Sequence, residues 1–158
     1  MIICSVDPDW VPDDEQRLEL DKVLVEQGIW PVNNTGKYPE HWVEGGFKRF
    51  QLMTHERPTL VANHQGGYRV YCPTEEKLIT ADFVDAIKVY RNGGLRQLSC
   101  SLCRANHDLN HLIYQPSAAF ALFEIQFHGA QSIELSSVAT EWFREWMGEF
   151  HTIIRRLG

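Results

Sequence analysis

Between residues 99 and 111 the chain reads Ser-Cys-Ser-Leu-Cys-Arg-Ala-Asn-His-Asp-Leu-Asn-His, which places Cys100, Cys103, His107 and His111 close together. Two cysteines separated by two residues can turn both thiolates toward one ion, and zinc accepts imidazole nitrogen beside sulfur. A structural zinc site takes four ligands, and zinc ribbons draw them from two turns. The second turn is expected upstream, where Tyr71-Cys72-Pro73-Thr74-Glu75 offers one. Cys72 stands where such a turn begins, but Glu75 fills the slot of its second cysteine.

The whole pattern, Cys-Pro-x-x, an intervening stretch, then Cys-x-x-Cys and His-Asp-Leu, resembles the zinc-ribbon inserts of small bacterial proteins without assigned function. The likeness covers residues 68–112; Cys72, Cys100 and Cys103 match it, and position 75 does not. It implies a structural role for the stretch rather than a chemistry. Three completions stay open. His107, or in its place His111, closes a Cys3His set; Glu75 supplies an oxygen instead; or the turns persist without metal, packed by Tyr71, Leu98 and Leu102. The expected cofactor is accordingly a structural zinc ion or none.

Other chemistries fit less well. A redox dithiol wants its nucleophilic cysteine at a helix start, where the dipole lowers the pKa, and no helix is signalled after Cys103. His107 and His111 have the spacing of the metalloprotease helix, but that motif needs a glutamate beside the first histidine. Asp108 is one methylene short, and no third ligand is evident. Cys4 is expected to be a small buried residue of a first strand. No catalytic residue is assigned.

These residues must be positioned by the elements around them. Ile2 to Val6 predicts a short buried strand. Pro12-Asp13-Asp14-Glu15 opens a helix whose inner face is Leu20, Val23 and Leu24, widened by Leu18 and Val25, and which ends at Gly28. Residues 31–46 form a long loop rich in Pro, Asn and Gly that carries Tyr38 and Trp42. Phe47 to Met53 predicts a strand, and Thr59–Asn63 with Tyr68–Cys72 a hairpin around the glycines at 66 and 67. Thr80 begins a helix with Phe83, Val84, Ile87 and Tyr90, followed by a strand from Leu95 to Ser99 into the cysteine pair. Phe123, Ile125 and Phe127 alternate with Glu124, Gln126 and His128, the pattern of a half-buried strand. Ser136 or Ser137 caps a last helix with Phe143, Met147, Phe150, Ile154 and Leu157 on one stripe. The order predicts a single α+β domain over 1–158: a mostly antiparallel sheet with helices on one face, a ferredoxin-like arrangement among the options, and 68–112 as an insert.

Charge bounds the function. The net charge of −6 lies wholly in residues 1–30, where eight acids meet Arg17 and Lys22. Such a face repels phosphate backbones and attracts basic proteins. The ribbon-like stretch has six bases against five acids, so the electrostatic term that dominates nucleic-acid binding is weak there, against the alternative of an accessory to nucleic-acid machinery. The expected role is a non-enzymatic protein-binding module, with Asp13, Asp14 and Glu19 facing a basic partner and Tyr38 and Trp42 as aromatic anchors. Neutralisation of a basic protein, as immunity proteins achieve, would suit it; an enzyme with a dispersed site is the other alternative. The start Met-Ile-Ile-Cys-Ser-Val-Asp has no basic region ahead of an apolar run, and no segment is long enough for a bilayer, so the expected location is cytoplasmic.

Overall fold

The computed structural model describes residues 1–29, 42–63, 67 and 69–155. In chain order the elements are β1 (Ile2–Ser5), α1 (Asp14–Glu26), β2 (Arg49–Val61), β3 (Arg69–Tyr71), α2 (Thr80–Arg91), β4 (Gln97–Ser99) and β5 (Asn106–Asp108). A 3-10 turn (Leu109–His111), β6 (Ile113–Gln115), β7 (Ala119–His128), α3 (Ser137–Met147) and β8 (Phe150–Ile153) complete them. The fold is α+β. Its four-stranded sheet has the order β2-β7-β1-β8, with every neighbouring pair antiparallel. Taken with α1 and α3, this is the split β-α-β arrangement of the ferredoxin-like class. The residues between β2 and β7 form an inserted lobe with two small antiparallel pairs, β3-β6 and β4-β5.

Helix α1 starts where Asp13 accepts from the Gln16 N–H at 2.8 Å and the Gln16 side chain returns a bond to the Asp13 N–H, a closed capping box. Ser136 caps α3 through the Ala139 N–H. Leu20, Leu24, Ala139, Phe143, Trp146 and Met147 then cover one face of the sheet, against Ile3, Phe50, Phe123, Ile125 and Phe127. Aromatic rings dominate this core, with Phe127 5.0 Å from Phe47 and 5.4 Å from Phe50 in edge-to-face contact. A second core in the inserted lobe gathers Phe83, Ile87 and Tyr90 of α2 with Val70, Leu98, Leu109 and Tyr114. Strands β2 and β7 pass from one core to the other, since Leu60 and Phe120 belong to the second. The Arg57 guanidinium lies 3.8 Å from the Tyr90 ring centroid, and Tyr90 Oη donates to the Pro58 carbonyl at 2.7 Å, which fastens α2 to β2.

Four sequence expectations change. The last helix stops at Met147: Gly148 takes a positive φ of 77°, and Phe150–Ile153 leaves the helix to pair with β1. A hairpin between Thr59–Asn63 and Tyr68–Cys72 does not form among the described residues. Thr59, Leu60 and Val61 pair with β7, and Arg69, Val70 and Tyr71 with β6. The strand around Phe123 is buried on both faces, not half-buried, because it lies inside the sheet between β2 and β1. Leu18 and Val25 do not widen the inner face of α1; they are 56% and 54% exposed.

Candidate metal centre

The Cys100 turn is the tip of the β4–β5 hairpin, and the Cys72 turn follows β3 directly. The two turns repeat one hydrogen-bond pattern. Cys72 donates its N–H to the Lys77 carbonyl at 2.9 Å and accepts from the Glu76 N–H at 2.8 Å; Cys100 donates to Ala105 at 2.9 Å and accepts from Arg104 at 3.0 Å. The fifth residue of each turn is left-handed, Glu76 with φ 52° and Arg104 with φ 61°. Position 75 of the first turn therefore corresponds to Cys103 of the second. Thiol-bearing turns of this form aim backbone N–H groups at sulfur, and the Glu75 N–H lies 3.4 Å from Cys72 Sγ.

The turns face each other across the second core. Cys72 Sγ is 3.6 Å from Cys103 Sγ and 3.7 Å from His107 Nε2, and Cys103 Sγ is 3.1 Å from the same nitrogen. Among the described residues, one ligand atom each from Cys72, Cys100, Cys103 and His107 lies within 4.8 Å of the others. All four cysteines are free thiols. Zinc bonds of about 2.3 Å to sulfur and about 2.0–2.1 Å to nitrogen make tetrahedron edges of roughly 3.5–3.8 Å, so this set can hold a metal ion with little movement. Cys72 and Cys100 are buried, and Cys103 and His107 partly so.

Electrostatics favour a cation at this point. At Cys72, desolvation pushes the thiol up, but N–H groups of Glu75 and Thr74 and hydrogen bonds from Cys103 and Cys100 outweigh it, so its pKa falls. At Cys103 the Ala105 N–H favours the thiolate, yet desolvation and the neighbouring Cys72 and Cys100 prevail, and its pKa rises. One thiolate forms readily, and a further negative charge beside it is opposed. A divalent cation removes that opposition.

Surrounding contacts fix the ligands. His107 sits on β5 opposite Leu98, and Asp82 of α2 accepts from the Ser101 N–H at 2.9 Å and the Ser101 hydroxyl at 2.7 Å. Arg96 donates to Asp108 at 3.0 Å and to Asp9 at 3.1 Å, joining the residue after His107 to the loop that follows β1.

The remaining candidates lie elsewhere. Glu75 is not in the cluster: its side chain is 42% exposed and pairs with Lys77 at 4.0 Å. His111 ends the 3-10 turn, exposed and outside the cluster. Trp42 is no surface anchor, being 5% exposed and packed 5.0 Å from Phe143 in the first core. Tyr38 lies outside the described residues. Asp13 is committed to the α1 cap, while Asp14 and Glu19 are exposed on that helix. Sequence reasoning missed a histidine–carboxylate contact in the main sheet: buried Glu124 of β7 lies 2.5 Å from His55 Nε2 and accepts from Gln126 at 2.8 Å. A buried carboxylate demands such partners, but His55 is 69 residues away in the chain, so no local pattern marks it. No helix among the described residues is long and apolar enough to cross a membrane.

No protein-family model matches the chain, and neither the curated proteins nor the solved structures contain a significant match to it.

Proposed function

We propose that the chain is a non-enzymatic binding module whose inserted lobe is held by a structural zinc ion and whose acidic helix α1 meets a basic protein. The observation that carries the zinc half is the convergence of Cys72, Cys100, Cys103 and His107 from two turns of the same form. Four protein ligands fill a tetrahedron and leave no open position for water or substrate, which is the pattern of structural rather than catalytic zinc. The ribbon-like spacing of the cysteines supports the same reading. Native mass spectrometry of the purified protein should find one zinc per chain. A metal-free protein that also fails to take up added zinc would overturn the assignment. The affinity should fall on acidification. Cys103 has a raised pKa, so the proton it holds near neutrality must leave when the metal enters, and each unit of lowered pH weakens binding at least about tenfold.

The partner half rests on α1. Leu18 and Val25 are seven residues apart on its outward side, exposed, among the exposed carboxylates of Asp14, Glu15, Glu19, Asp21 and Glu26. Apolar contact on a helix of net negative charge, five carboxylates against Arg17 and Lys22, suits a basic protein surface, and the charge steers its approach. Neutralising a basic protein, in the manner of an immunity protein, is the role this face supports. Immobilised protein should retain one basic partner from its native lysate at low salt, and a Asp14→Lys, Glu19→Lys double variant should release it. Retention that is indifferent to charge reversal, or no retained partner at all, would refute this half without touching the zinc assignment.

A further inference from the structure

The face of the main sheet turned away from α1 and α3 carries Glu124, Gln126 and His128 on β7, with Ile2 opposite Gln126 on β1, and Gln51 and Arg49 opposite Gln126 and His128 on β2. At its His128 end a cavity of about 420 Å3 opens between the sheet, the segment after β7 and the chain after β8. Its walls include Ile2, Gln126, His128, Ser132, Ile133 and Arg155. In a protein of net charge −6, none of the described residues lining this cavity is Asp or Glu.

Positive charge gathers there instead. Arg155 stands on the wall, Arg49 is the cross-strand partner of His128, and the stem of Lys48 packs where a side chain at Gly129 would be. Among the described residues, His128 Nε2 is buried with no hydrogen-bond partner. Burial first, then the charges of Arg49 and Arg155 among others, hold its imidazole below the usual range. A buried polar nitrogen left unpaired is costly, and native folds contain few of them. The nearest carboxylate along β7, Glu124, is engaged by His55 and Gln126 and does not turn to His128.

We propose that this cavity binds a small carboxylate with an apolar body. Its charged end pairs with Arg155 beside His128, and its body lies against Ile2, Ile133 and Ile154. The volume falls within the range of small-molecule sites, and the mix of apolar walls with a few polar groups is their usual composition. An arginine fork matches carboxylate oxygens and gives the site its sign preference. This proposal is independent of the metal centre, which belongs to the other core.

The test uses hexanoate and its uncharged counterpart hexanamide, followed through the imidazole resonances of His128 in the full chain. Hexanoate should shift these resonances saturably and bind at least about tenfold more tightly than hexanamide, the discrimination expected of a charge-assisted contact. Arg155 is exposed, so Arg155→Glu leaves the fold intact and should weaken hexanoate by about tenfold or more. Ile133→Glu, also at an exposed position, should weaken it similarly by setting a carboxylate on the apolar wall. Equal response to both probes, no saturable shift from hexanoate, or binding unchanged in Arg155→Glu would each overturn the proposal.

Discussion

Serine in place of Cys100 is expected to abolish the proposed zinc binding and loosen the second core. Cys100 is buried beside Leu98, and its turn is the tip that holds β4 against β5. Structural zinc contributes about 10–16 kcal/mol of apparent binding energy to small folded modules, energy that appears as folding stability. Here the inserted lobe has apolar packing of its own through Phe83, Leu98 and Tyr114, so only part of that is at stake. A loss of ~4 kcal/mol would lower the melting temperature by about 10 °C in a chain of this length. Calorimetry of the wild type with and without a chelator, beside Cys100→Ser, measures it. The variant should melt near the chelated wild type and no longer respond to chelator. Identical melting of variant and untreated wild type would remove the metal from the account of stability. Cys4→Ala is the control: that thiol is enclosed in the main sheet, where burial and then the Glu124 charge push it up to about 12, and zinc content should not change.

The second large effect concerns the missing cysteine. His107→Ala removes the only nitrogen ligand and should weaken zinc by more than about a hundredfold, above the cost of losing an outer-shell partner. Because the turns at 72 and 100 repeat the same bonds, residue 75 occupies the place in its turn that Cys103 occupies in the other. Glu75→Cys added to His107→Ala should therefore rebuild a four-ligand site from thiolates alone. Cobalt substitution reads the change directly: sulfur-to-cobalt charge-transfer absorption should rise from the intensity of three thiolates to that of four, with affinity recovered. A double variant no tighter than His107→Ala would mean that the two turns are alike in backbone but not in where they aim a side chain.

The cysteine cluster was the most legible part of the sequence, because its thiols are set by short turns whose spacing is local. The choice of His107 over His111 was not. It depends on β5 pairing with β4, which presents residue 107 to the cysteines, while His111 falls beyond the next turn. The framework of the sheet was readable from its apolar runs and caps, but one helix end and one strand face differ for a physical reason. Phe150 and Ile154 keep helical spacing from Phe143 and Met147, so periodicity extends α3; the pairing of Phe150–Ile153 with β1 competes with it and wins after Gly148. Alternation of Glu124 and Gln126 with aromatics suggested a wet face. The structure instead buries them by giving the carboxylate a histidine from β2 and an amide from its own strand. Trp42 shows the same limit, since an aromatic residue in a long loop can as well seal a core as project from a surface.

The pairing of β1 with β8 also has a consequence for how the chain folds as it is made. Ile2 lies beside Ile153, so β1 stays unpaired on that side until β8 has been made. The core of the inserted lobe, from Leu60 to Phe120, precedes β8 in the chain. Contacts of short chain separation form early, and domains assemble as their parts appear. The lobe is therefore expected to close its own core before β1 gains its β8 partner.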